Sequence, residues 1–123
     1  MSEPRRSELG ARAEAAVVQY LTARGWDIVA TNLRIGYLEL DVIARQGAVV
    51  AVVEVRTRGA SAWTTGFGSI DRQKRLRIRR AGERLWQRRY RADPSVERLR
   101  FDAAAVTFDS DGRASVDYVP AAF

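Results

Sequence analysis

A chain of 123 residues with 46% apolar and 29% charged residues has the composition of one globular domain rather than of a disordered tail. It contains neither cysteine nor histidine, which excludes disulfides, thiolate nucleophiles, imidazole bases and the usual zinc ligands. Any chemistry is left to carboxylates, Lys, Arg and hydroxyls.

Charge is placed unevenly. Residues 71–100 hold twelve Lys/Arg against four Asp/Glu, a surplus of +8, whereas the whole chain carries +6. A concentrated basic segment attracts a polyanion, and arginine favours bidentate phosphate contacts; the competing reading is a solvated face in an arginine-rich protein. The absence of cysteine and of any long apolar run points to a cytoplasmic protein without a membrane segment. Residues 1–123 are expected to form a single domain, with 1–6 flexible.

In chain order, Ser7 is a candidate N-cap for a helix over 8–24, in which Ala13, Ala16, Val17, Tyr20 and Leu21 recur at helical spacing and Gly25 marks the stop. Trp26 to Leu33, Tyr37 to Ala44 and Ala48 to Arg56 read as three strands, the last two a hairpin around Arg45-Gln46-Gly47. Thr57 to Ser69, with three glycines, reads as a loop. Asp71 is placed to cap a second helix with the apolar stripe Ile78, Ala81, Leu85 and Trp86, to which Leu76 does not belong. Asp93-Pro94 ends that segment. Leu99 to Phe108 is a fourth strand, Asp111-Gly112 a turn, and Ser115 to Val119 a fifth strand. The order is αβββαββ.

Several carboxylates fall where burial is expected. Helical spacing sets Glu14 at the edge of the first helix's apolar stripe, where it needs either an arginine partner or a role in a site. Strand alternation puts Glu39 and Asp41 on one face of the second strand, and Glu54 with Arg56 on one face of the third. With Arg45 opposite Ala48, Asp41 would face Val52 and Glu39 would face Glu54. Glu54 follows Val49-Val50-Ala51-Val52-Val53, a run suited to a central strand covered on both faces. Acids converging in this way need a cation: either Arg56, in an ion-pair cluster, or a divalent ion, with oxygen-only ligands suited to Mg²⁺ or Mn²⁺.

Arg12-Ala13-Glu14, Leu38-Glu39-Leu40-Asp41-Val42-Ile43-Ala44, Val52-Val53-Glu54-Val55-Arg56-Thr57-Arg58, Lys74 and Arg100-Phe101-Asp102 resemble, in order and spacing over about residues 7–108, the YraN-like family of uncharacterised predicted endonucleases. That family is similar to archaeal Holliday junction resolvases and to the wider PD-(D/E)XK nucleases. The resemblance implies an α/β, restriction-endonuclease-like αβββαβ core with an extra C-terminal strand, a mixed sheet flanked by helices. It implies Asp41 and Glu54 as metal ligands, the Val55 carbonyl as a further oxygen, Glu39 as their acidic partner and Glu14 as the helix glutamate that completes the site. Two positions depart from the pattern: Leu38 replaces a glycine, and Arg56 replaces the lysine of the Glu-x-Lys motif. Arginine stays protonated, so Arg56 can stabilise charge but cannot exchange a proton with the attacking water.

The expected function is therefore a Mg²⁺- or Mn²⁺-dependent endonuclease acting on DNA, selective for structure more than sequence, with Asp41, Glu54, Arg56 and Glu14 in catalysis. Lys74, Arg75, Arg79, Arg80 and Arg58 are expected to bind nucleic acid, Lys74 as a phosphate contact or a solvated side chain more than as a member of the site. The alternative is a nuclease-fold protein that binds nucleic acid with weak or no turnover. A homodimer is plausible by analogy with the resolvases.

Overall fold

The computed structural model describes residues 4–57 and 72–123, with side chains from residue 8 onward. Arg58, the loop over 57–69 beyond Thr57, and Asp71 with its capping role lie outside the described residues.

Five strands form one mixed sheet in the order β1-β2-β3-β4-β5: β1 (Asp27–Ile35), β2 (Leu38–Gln46), β3 (Val49–Thr57), β4 (Arg98–Phe108) and β5 (Ala114–Val119). β1–β2, β2–β3 and β4–β5 are antiparallel. β3 and β4 are parallel, so the chain must cross over between them, and α2 (Arg72–Leu85) lies in that crossover. α1 (Pro4–Ala23) covers one face and α2 the other, which gives the expected α/β sandwich of two helices on a mixed sheet with an extra C-terminal strand.

β3 divides its side chains between the two cores. Ala51 and Val53 meet Ala13, Val17 and Leu21 of α1, whereas Val50 and Val52 join Ile78, Ala81 and Leu85 of α2. Burial of Val17, Leu21, Ile78 and Leu85 contributes about 1.5–3 kcal/mol for each side chain, which is what holds the helices to the sheet. Gly82 allows the closest approach of α2: a Cβ there would lie 2.5 Å from Phe101 Cζ on β4. Leu76, outside the stripe, is 47% exposed.

Three expectations are corrected. α1 begins at Pro4 and already runs through Ser7, so Ser7 is not its cap; proline is tolerated there because first-turn N–H groups have no partner within the helix. The β2–β3 turn is Gly47-Ala48, with Gly47 at φ +60°, so Arg45 pairs with Val50 and not with Ala48. The second helical segment does not stay α-helical to its end: Trp86–Tyr90 forms a π-helical turn, closed by the Arg91 N–H donating to the Trp86 carbonyl at 2.8 Å. That extra residue per turn brings Tyr90 into the α2 core while Trp86 stays half-buried.

The β1–β2 hairpin does not keep one alternation. Thr31 pairs with Val42, which faces α1, and Leu33 pairs with Leu40, which by strict alternation would face α1 too. Leu33, Ile35, Leu38 and Leu40 instead pack in the α2 core. The phase changes at Asn32, whose φ is +50°, and at Asp41 beside it on β2. Asparagine is one of the few residues that enters this region at low cost.

Candidate functional site

The phase change opens the sheet where the acids lie. β2 and β3 are in register from Gln46–Val49 to Val42–Val53 and no further. Beyond that pair the Asp41 side chain takes over from the ladder, its Oδ2 accepting the Val55 N–H at 2.8 Å. Glu54, next on β3, is 5% exposed and sits opposite Ala103 of the neighbouring strand. Glu14 reaches the same place from α1, fixed by the Asn32 side-chain amide, which donates to its Oε2 at 3.0 Å. One asparagine thus turns the strand and orients the helix glutamate.

Together Glu14, Asp41, Glu54, Val55, Arg56 and Lys74 line an open cleft of about 390 Å³, floored by Gly10 and Ala13 of α1. Lys74, in the first turn of α2, places its Nζ 2.9 Å from Glu54 Oε2, and Arg56 Nη1 is 3.8 Å from the same oxygen. Burial lifts the Asp41 carboxyl from 3.8 to about 7; the negative charges of Glu54 and Glu14 push in the same direction, and the Val55 N–H and the Lys74 ammonium oppose them.

The cleft gathers Glu14, Asp41, Glu54, Val55 and Arg56 as the sequence implied, but not Glu39. That residue is exposed and stands opposite Arg34 on β1, because the register runs two residues away from the one expected and the phase change turns the hairpin end. Facing Glu54 is thereby ruled out for Glu39, and Asp41 is not opposite Val52, which pairs with Ile43. Arg75, Arg79 and Arg80 are exposed on α2. Lys74 is better placed than the sequence suggested: half-exposed, it reaches the acid cluster. A signal was available in the composition: it is the single lysine of the chain, beside twenty arginines.

The acidic donors that line the cleft are the carboxylates of Glu14, Asp41 and Glu54. Among the described residues no three acids close up into a complete metal cage. The set fits Mg²⁺ or Mn²⁺ held by one or two carboxylates with several waters retained, and not an ion stripped of its hydration.

The motif residue Asp102, to which the sequence assigned no task, is structural. Fully buried on β4, it accepts two bonds from Arg100 at 2.8 and 2.9 Å, the Tyr118 hydroxyl at 2.6 Å and the Ala121 N–H at 2.8 Å. Burial, reinforced by Asp102, holds the Tyr118 hydroxyl well above its ordinary pKa. The Tyr118 ring stacks on Tyr20 of α1, with centroids 5.4 Å apart, so this network fastens β5 and the C-terminal segment to the sheet and the helix.

Fold and site together define an α/β protein with a carboxylate-lined cleft where two strands part, bordered by a basic helix. A profile of the uncharacterised protein family UPF0102 matches residues 13–106, and this chain belongs to that family, the YraN-like group that its motifs resemble. A UPF0102 protein of Sorangium cellulosum is 56% identical over 118 residues, covering 96% of this chain and 82% of its own length. UPF0102 proteins of Moorella thermoacetica (36% over 124 residues, 100% and 98%) and Myxococcus xanthus (34% over 118 residues, 96% and 90%) are similar along nearly their whole lengths. No described helix is long and apolar enough to cross a membrane.

Proposed function

We propose that the protein is a divalent-metal-dependent endonuclease that hydrolyses phosphodiester bonds in DNA, with a preference for structure over sequence. The observation that carries this reading is the cleft itself: Asp41, desolvated and facing two further acids, lies beside Glu54, Lys74 and Arg56. Stability alone does not call for such a grouping, since acids crowded in a cleft cost free energy unless a cation or substrate uses them.

Asp41 and Glu54 would hold the ion, with the Val55 carbonyl as an adjacent oxygen. Bound there, a divalent cation supplies Lewis-acid polarisation of a phosphoryl oxygen and acidifies water. Lys74 and Arg56 place two positive charges against Glu54 Oε2, at the cleft, where they would neutralise charge developing on a scissile phosphate. Arg56, permanently protonated, contributes electrostatics only. Glu14, oriented by Asn32, lines the same cleft and would be the acid available to orient a water there. The arginines of α2 beyond Lys74 continue as a basic surface for the strand.

The 2.9 Å contact between Lys74 and Glu54 also favours a second reading, in which the protein only binds nucleic acid: a side-chain cation already balances one acid, so the cluster can persist without metal or turnover. Labelled branched, single-stranded and duplex DNA, incubated with Mg²⁺ or Mn²⁺, separates the two. The nuclease reading expects metal-dependent cleavage that Asp41→Ala and Glu54→Ala abolish without loss of DNA affinity. Binding without cleavage under both metals would leave the second reading standing.

A further inference from the structure

We propose a second nucleic-acid site, outside the carboxylate cleft, in which Tyr37 stacks on one unpaired nucleotide while Arg77, Arg80 and Arg84 hold the adjoining phosphates. This inference rests on the nucleic-acid reading above and adds the substrate class, a strand with unpaired bases next to the bond that is cut. Tyr37 stands at the tip of the β1–β2 hairpin, just after Gly36 at φ +63°, with its side chain fully exposed. No other aromatic side chain is exposed among the described residues. Beneath it Ile35 and Leu38 meet Arg77, Arg80 and Arg84 around a hollow of about 460 Å³. The hairpin is braced on the helix: a Cβ on Gly36 would lie 2.9 Å from Arg84 Nη1, so the guanidinium rests against the backbone beside Tyr37.

Helix geometry joins this hollow to the cleft. Lys74, Arg77, Arg80 or Ala81, and Arg84 follow one another at spacings of three or four residues and so share one flank of α2. The row is about 15 Å long at 1.5 Å per residue, and it starts at Glu54. A strand leaving the cleft along it meets cations spaced for its phosphates and then an aromatic face. Bases inside a duplex have both faces covered, whereas an unpaired base can stack on a tyrosine, and arginines beside the ring favour a phosphate-bearing ligand over an apolar one.

The test uses the full chain without divalent metal, with a single-stranded oligonucleotide carrying 2-aminopurine and a duplex of the same sequence, read by fluorescence and anisotropy. Wild type and Tyr37→Phe should both bind the single strand and alter the fluorescence of the stacked base. Tyr37→Ala should lose that signal and about 5- to 150-fold in single-strand affinity, the loss expected for one base–aromatic stack, with duplex affinity changed less than twofold. Arg77→Gln with Arg84→Gln should weaken both and lower the salt dependence. Unchanged single-strand affinity in a folded Tyr37→Ala, with the arginine variant weakened, would overturn the stacking site and leave the nucleic-acid reading intact. Wild type that binds neither oligonucleotide at low salt but does bind an acidic polypeptide would overturn both.

Discussion

Replacing Asp41 by asparagine tests the electrostatics of the cleft apart from any chemistry. The carboxyl has a folded pKa of about 7 against 3.8 when free. An acid whose pKa is raised by folding costs nothing below 3.8, where both states are protonated. As pH climbs from 3.8 towards 7 the unfolded chain ionises first, and stability is lost at up to about 1.4 kcal/mol per pH unit. Above 7 the loss is complete and flat, at about 4 kcal/mol in full. Asparagine keeps an oxygen to accept the Val55 N–H and carries no charge towards Glu54 and Glu14. Asp41→Asn should therefore match wild type at pH 4 and exceed it by about 2–4 kcal/mol at pH 8 in metal-free buffer. Urea unfolding of both proteins at several pH values measures the difference, in which the other titrating groups largely cancel. A variant that is less stable than wild type at pH 8, by an amount independent of pH, would refute the reasoning and make Asp41 a structural partner of the Val55 amide.

Other substitutions probe the frame and the cations. Gly82→Ala drives a methyl group into the Phe101 ring and should cost about 1–3 kcal/mol in thermal or urea unfolding. Asp102→Ala strands the Arg100 guanidinium and the Tyr118 hydroxyl; a loss of about 3–5 kcal/mol is expected, with hydrogen exchange accelerated first in β5. If the cleft is a nuclease site, Lys74→Gln should lower the cleavage rate by about 10-fold or more while DNA affinity falls far less, because its ammonium lies at Glu54 and not out on the helix. Arg56→Lys should keep or raise the rate in the same assay.

Much of this architecture was legible because it depends on periodicity. Val49 to Val53 had to be a strand covered on both faces, and the stripe Ile78, Ala81 and Leu85 had to face a sheet. Asp41 and Glu54 could be brought together from strand geometry, though for a register two residues off: the turn at Gly47-Ala48, and not the residue types, decides that register. Glu39 was misplaced for a different reason. Alternation assumes an uninterrupted strand, and the left-handed Asn32 resets its phase, an event that one asparagine among other polar residues does not announce. Lys74 depended on the pitch and seating of α2, which only packing sets. Its being the sole lysine was visible, but its distance from Glu54 was not. Tyr37 reads from the sequence as the start of a strand, and periodicity does not mark a ring that the hairpin tip leaves exposed.

The central claim is that Asp41 and Glu54 form a divalent-cation site, and calorimetric titration of Mn²⁺ into wild type, Asp41→Asn and Glu54→Gln tests it most directly. One ion per chain should bind wild type at pH 8, more weakly at pH 6, where Asp41 with its pKa of about 7 still holds a proton that the ion must displace. Each variant should weaken binding at least about 10-fold while remaining folded. Wild type that takes up no ion at pH 8, or variants that bind it as tightly as wild type does, would contradict the claim.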